Sequence, residues 1–367
     1  MKILPTVTRI ATFPMTTLLC WTLAPSLSSL LMVAAAFTTT TTTNKFRPQE
    51  ASKRNKCLAM SDDSGGFEKF STSAELRDAV RAYLGKDFQK SSLARSVYGD
   101  LIGSWDVSKI SDFRGLFKAI PGAGDFNEDI SEWDVSKATD MSSMFCGAFS
   151  FNQDISKWDV SEVIDTTFMF KNAYSFNQEI SKWDVSMVSN MAFMFYDASS
   201  FNQEISKWDV SKVSDMSWMF SDASSFNQDI SKWDVSSVSD MGCMFLCASS
   251  FNQDISKWNV SSVSDMGYMF SDASSFNQDI SKWDVSKVSD MRSMFHGACS
   301  FNQDISKWDV SKVSDMHYMF RDASSFNQDI SKWDVSTVGD MGLFICSWKL
   351  VHSTKIFPNG TCPRLAT

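Results

Sequence analysis

The sequence predicts an α/β solenoid of stacked 25-residue coils, each with one short parallel β-strand and one short helix, closed at its amino end by a capping helix. Three observations predict it. The stretch from Phe226 to Val235 returns almost letter for letter every 25 residues. Tryptophans keep the period: Trp105, Trp133, Trp158, Trp183, Trp208, Trp233, Trp258, Trp283, Trp308 and Trp333, with only the first interval lengthened, by three residues around Pro121, Gly122 and Gly124. Within each unit the apolar pattern changes from alternation to spacings of three and four, the periods of a strand and a helix.

The elements follow in chain order. Residues 1–36 read as a secretory signal peptide or targeting presequence: Lys2 and Arg9 precede an uncharged stretch ending in Ala34-Ala35-Ala36. An uncleaved anchor is the other reading, but Pro14 and Pro25 interrupt what a spanning helix keeps apolar. Residues 37–66 form a linker rich in threonine, serine and basic residues, a composition shared with transit peptides, so a two-part plastid presequence stands beside secretion. Residues 67–98 carry the cap, where Thr72-x-x-Glu75 has the capping-box form, Leu76, Val80, Tyr83 and Leu84 share a helical face, and Gly85 is a stop. The array occupies 99–344, about ten repeats. The tail, 345–367, resembles no repeat and is either a poor cap or a gene-model artefact.

Within one coil, Ile-x-x-Trp-x-Val sets Trp233 and Val235 on one side of an extended segment and Lys232 and Asp234 on the other. Val238, Met241, Met244, Phe245 and Ala248 then form one apolar stripe of a short helix, with Ser239 or Asp240 at its N-cap. No coil buries enough to stand alone, so stability must come from neighbours.

Stacking in register turns equal positions into columns about 4.8 Å apart. Lys207 and Lys232 belong to a basic column and Asp209 and Asp234 to an acidic one, neighbours that offset each other's repulsion. The asparagine after each turn phenylalanine, Asn127 to Asn327, is suited to satisfy backbone groups of its own coil and the next. Variation falls before each Met-Phe, at Phe168, Phe193, Trp218, Cys243, Tyr268, Ser293 and Tyr318. On a helix these rings face solvent as a contact ribbon; on a looser turn they pack between coils. The candidate binding residues are therefore Phe168, Phe193, Trp218, Tyr268 and Tyr318, with Lys207, Asp209, Lys232 and Asp234 second.

Net charge is −9, yet the first sixty residues carry +6, so the remainder holds −15 and repels nucleic acid. Cys243 and Cys247 have metal-ligand spacing, but no neighbouring column completes a site, and no metal or cofactor is expected. Three histidines and no phosphate loop or nucleophile elbow leave nothing to assign catalytic roles to. Asn259-Val260-Ser261 and Asn359-Gly360-Thr361 are glycosylation sequons if the chain enters the secretory pathway.

The unit Ile-x-x-Trp-Asp-Val-Ser-x-Val-x-Asp-Met-x-x-Met-Phe-x-x-Ala-x-x-Phe-Asn-Gln resembles that of BspA-like leucine-rich repeat surface proteins, long catalogued through a mycoplasma domain of unknown function. The resemblance covers about Tyr98 to Phe344. It implies a right-handed leucine-rich-repeat stack and a secreted or surface scaffold whose partner is a protein or glycan, with a membrane touched only through an uncleaved N-terminal segment. It brings no catalytic residues. A purely structural array without a ligand, and a plastid location, are the alternatives.

Overall fold

Three-residue turns, not strand alternation, bring the isoleucine, tryptophan and valine side chains of each coil to one side. The computed structural model describes residues 67–339. In it, Trp233 N–H donates to the Ile230 carbonyl at 3.2 Å and Val238 N–H to that of Val235 at 3.0 Å. Asp229 and Asp234 accept from the amides of Ser231 and Ser236 at 2.9 and 3.0 Å, and such Asx turns bend the backbone away from an extended path. The strand expected over Ile-x-x-Trp-x-Val therefore does not form. Among the described residues, parallel pairing is confined to one bridge per coil, running from Asp112↔Asp140 through Asp290↔Asp315.

The expected helix does not form either, because neighbouring coils take the amides it needs. Met241, Cys243, Phe245 and Cys247 donate forward to carbonyls of Asp265, Gly267, Met269 and Ser271 at 2.8–3.0 Å. The amides between them, on Met244, Leu246 and Ala248, donate back three residues within the coil. Such alternation requires left-handed backbone at two places, Cys243 (φ 57°) and Cys247 (φ 56°). Occupants of the first place, from Ser143 to Tyr318, include no β-branched residue, the type that tolerates this conformation least.

Nine apolar side chains of a regular coil join the continuous core: in one coil Ile230, Trp233, Val235, Val238, Met241, Met244, Phe245, Ala248 and Phe251. Aromatic rings stack in columns through this interior. Trp208 and Trp233 lie 6.5 Å apart at 2°, Phe220 and Phe245 5.8 Å apart, and Phe245 meets Phe251 of its own coil at 3.9 Å. The core indoles from Trp133 to Trp333 each donate to the coil before, as Trp233 Nε1 does to the Ile205 carbonyl at 3.0 Å. The asparagine column forms a second seam. Asn227 Oδ1 accepts from the Asn252 amide at 2.9 Å and from Gln253 Nε2 at 3.0 Å.

Two helices close the amino end, α1 (Ser73–Leu84) and α2 (Phe88–Tyr98). Thr72 caps α1 by accepting from the Glu75 amide at 3.2 Å, while the Glu75 carboxylate takes the Ser71 amide at 2.9 Å. Leu76, Ala79, Val80 and Tyr83 are its buried face. Tyr83 meets Trp105 edge-on at 5.4 Å and donates to Glu128 Oε2 at 2.7 Å, so α1 covers the first coil as expected. The sequence did not mark α2 separately, although Asp87 caps it by accepting from the amides of Gln89 and Lys90. The three extra residues are absorbed in a 3-10 turn, Ala123–Asp125, where Gly122 (φ 91°) passes so close to the Leu84 carbonyl that a Cβ would sit 2.8 Å from its oxygen.

Every described residue lies in one compact unit. The signal or presequence, the linker before Phe67, the broken repeat after Gly339, the tail and Asn359 lie outside the described residues. No helix among the described residues is long and apolar enough to cross a membrane.

Candidate binding face

Most columns repeat the same residue, and variation concentrates on the segment from each first Met to the following Ala. The left-handed residue in this segment carries the predicted ribbon. Phe168, Phe193, Trp218, Tyr268 and Tyr318 are all half-buried rather than fully exposed. Phe168 stacks on Phe193 at 4.5 Å and Phe193 on Trp218 at 5.5 Å, so the rings lie against one another across coils. Backbone at φ near 60°, instead of a helical turn, gives them this orientation.

A second variable column runs beside the ribbon, three residues further on, and the sequence analysis missed it. There Tyr196 approaches Phe193 and Trp218 at 5.9 Å, and the Lys171 ammonium lies 5.3, 5.4 and 4.5 Å from the ring centres of Phe168, Phe193 and Tyr196. A cation held over three aromatic faces is stabilised by their negative π-surfaces. This cluster unites three of the predicted residues; Tyr268 stands beyond Cys243, and Tyr318 beyond Ser293 with Arg321 5.0 Å from its ring. The signal available was the variation itself: Cys146, Lys171, Tyr196, Ser221, Leu246, Ser271, His296 and Arg321 succeed one another in that column.

Lys207, Asp209, Lys232 and Asp234 are exposed, as expected of an outer face. Their aspartates turn inward to their own chain: the hydroxyls of Ser211 and Ser236, and after them the amides of the same residues, donate to Asp209 and Asp234 and hold both carboxyls below their usual range. Along the lysine column the ion pair is Lys157 with Glu132, 3.5 Å. Asn259 replaces the aspartate in this turn, accepting from the Ser261 amide at 3.2 Å, and its side chain is exposed.

Cys243 is buried and Cys247 half-buried, and among the described residues no group of three or more His, Cys, Asp or Glu is placed to hold a metal ion. His296 lies between two coils, its Nδ1 3.6 Å from Asp272 Oδ2 and its Nε2 3.7 Å from Asp322 Oδ2. Gly297 makes room for this, since a Cβ there would overlap Asp272 Oδ1. Ser271 Oγ is 3.3 Å from His296 Nδ1, but Ser271 is only 2 % exposed.

Three stretches of the chain, 85–206, 177–279 and 254–353, match one family model, together spanning the array and α2. The chain belongs to the family described as Mycoplasma protein of unknown function, DUF285. Its tandem DUF285 matches agree with the tandem coils, and the third runs to residue 353, past Phe344 where the visible repeat stops. No curated protein matches the chain.

Proposed function

We propose that this DUF285 chain is a BspA-like, leucine-rich-repeat solenoid scaffold, secreted or surface-exposed, that binds a protein or glycan through the variable face. The observation that carries the reading is the cluster of Phe168, Phe193, Tyr196 and Trp218 around Lys171 on an array whose other columns hardly change. Half-exposed aromatic side chains are a residue type enriched where surfaces meet. A preordered array loses little conformational entropy on contact, which suits weak, multivalent attachment. Binding rather than catalysis is favoured because Ser271, the hydroxyl beside His296, is buried from substrate.

The test is attachment of cells or beads displaying the full chain, wild type against a triple Phe168→Ser, Phe193→Ser, Trp218→Ser variant. Serine already stands at that place as Ser143 and Ser293, with left-handed φ, so the variant keeps the coil. Attachment is expected to fall about tenfold or more, as when aromatic anchors are removed from an interface. Unchanged attachment by a folded variant overturns the reading. The structural alternative draws support from the stacking of these rings on one another. A mature amino terminus near Phe37 in the medium or wall separates secretion from the plastid.

A further inference from the structure

Four exposed large hydrophobic residues of the array, Phe149, Ile164, Tyr174 and Met187, fall within 39 consecutive positions, while the others at the described surface, Phe67, Phe88, Leu93 and Leu101, belong to the cap and the start of the first coil. Two of the four are aromatic and adjacent. Phe149 (46 % exposed) and Tyr174 (39 % exposed) occupy the same column and stack at 5.2 Å and 9°. One face of Phe149 is covered by the backbone at Gly124, where a Cβ would lie 3.0 Å from the ring. The next residue in the column is Ser199, and serine or cysteine follows in each later coil, so the ladder stops at Tyr174 with its far face turned to a small residue.

That last ring is held in place. Tyr174 Oη accepts from Asn172 Nδ2 at 3.2 Å and donates to Asp197, and the same Asn172 nitrogen donates to Asp197 Oδ2 at 3.2 Å. Asn172 (φ 59°) and Asp197 (φ 55°) both sit at the second left-handed place of their coils. Asn172 and Asp197 thus hold polar groups at the hydroxyl edge of one immobilised ring, and Ser199 follows it in the column. The ring attracts the positive edges of C–H bonds, and the carboxylate and amide oxygens accept from hydroxyl groups.

We propose that the Tyr174 shelf is a binding subsite for a neutral pyranose sugar, which stacks on the ring in the position a third aromatic residue of the column would take. A pyranose offers what this surface asks for: a flat face of axial C–H bonds and a rim of hydroxyl donors. A peptide segment could also meet the ring and donate backbone amides to these oxygens, and the peptide pool in the test below separates it from a sugar. This assignment deepens the reading of the array as a binding scaffold and rests on it.

The experiment measures saturation transfer from the purified full chain to manno-, cello- and laminari-hexaose by proton NMR. Tyr174→Ser is the decisive variant, since it installs the residue that Ser199 and Ser224 already provide at that place. At least one hexasaccharide is expected to receive transfer on its ring C–H protons, and Tyr174→Ser to reduce it about five- to tenfold, the worth of one aromatic contact. Phe88→Ser, an exposed position on the cap helix, is expected to leave it unchanged. Absence of transfer to all three sugars, or transfer retained in Tyr174→Ser, overturns the proposal. So does retention of a random peptide pool that is lost in Tyr174→Ser while no sugar responds. Should the ribbon variants leave attachment intact while Tyr174→Ser still abolishes transfer, the scaffold's adhesive role fails and the sugar subsite stands.

Discussion

At the scale of single residues, the column of bridging aspartates concentrates the array's electrostatic cost. Asp215, Asp240 and Asp265 stack in successive coils, each accepting the amide two residues on at 2.8–2.9 Å. Burial, with Asp265, Asp215 and Asp290 nearby, pushes the Asp240 carboxyl up to about 6. Its folded pKa lies above its unfolded value of 3.8, so its contribution to stability is full below that value and is lost as pH rises through about 6. Asn190 already occupies this column and makes the same bond to the Ala192 amide at 2.8 Å. Asp240→Asn is therefore expected to raise stability at pH 7.5 by about 1–2 kcal/mol, less than the full shift because solvent screens a partly exposed carboxyl, and to change it little at pH 3.5, read from urea midpoints at the two pH values. A variant no more stable at pH 7.5 than wild type refutes the strain. The asparagine seam was legible from the sequence, because an invariant turn amide with donors and acceptors has few other uses. The indole seam was not: nothing in the spacing of Trp233 and Ile205 says that one donates to the carbonyl of the other.

At the scale of elements, the cap was legible and the coil's interior was not, for one physical reason. Thr72, Glu75 and the apolar face of α1 satisfy one another within a few residues, so local sequence contains the information. In the coil, Val238, Met241, Met244, Phe245 and Ala248 have the spacing of a helix, yet half of the backbone donors from Met241 to Ala248 go to the next coil. Turns of three residues and helical turns put the same side chains inward, and only the neighbour's carbonyls decide between them. The candidate site followed the same rule: its variability was readable, while the approach of Lys171 and Tyr196 to the ribbon depended on the left-handed backbone. The cap carries its own prediction. Leu76 is fully buried in α1, and Leu76→Ala should cost about 2–5 kcal/mol. In a nearest-neighbour array that loss stays local, so amide hydrogen exchange should accelerate in α1 and the first coil while Met216 to Met294 remain protected. Uniform loss of protection along the array would contradict nearest-neighbour stability.

At the scale of the whole molecule, the hydrogen bonds between regular coils join residue n to positions about 24 to 28 further along, so the segments that make them accept changes only in whole periods. The three extra residues of the first coil lie outside those segments, in the Ala123–Asp125 turn. Trp218 N–H donates to Gly242 O, Phe220 N–H to Met244 O and Asn252 N–H to Asn227 Oδ1, and the same pairs recur in the next coil. Removing 243–267 joins Gly242 to Tyr268 and replaces every lost partner by its counterpart one coil on, as Met269 O for Met244 O. Removing 243–266 instead leaves one extra residue between Met241 and Met269. That residue exchanges the amides that cross between coils with those that close turns, and displaces the φ-positive place onto a buried position. The 25-residue deletion should therefore melt cooperatively with intact near-ultraviolet signal from its stacked indoles, at a midpoint only slightly below the full chain. The 24-residue deletion should lose that signal from the coils on either side of the joint. Equal folding of the two would mean that the coils are held by general apolar burial alone, and that the ladders of amide, asparagine and indole hydrogen bonds do not set the register.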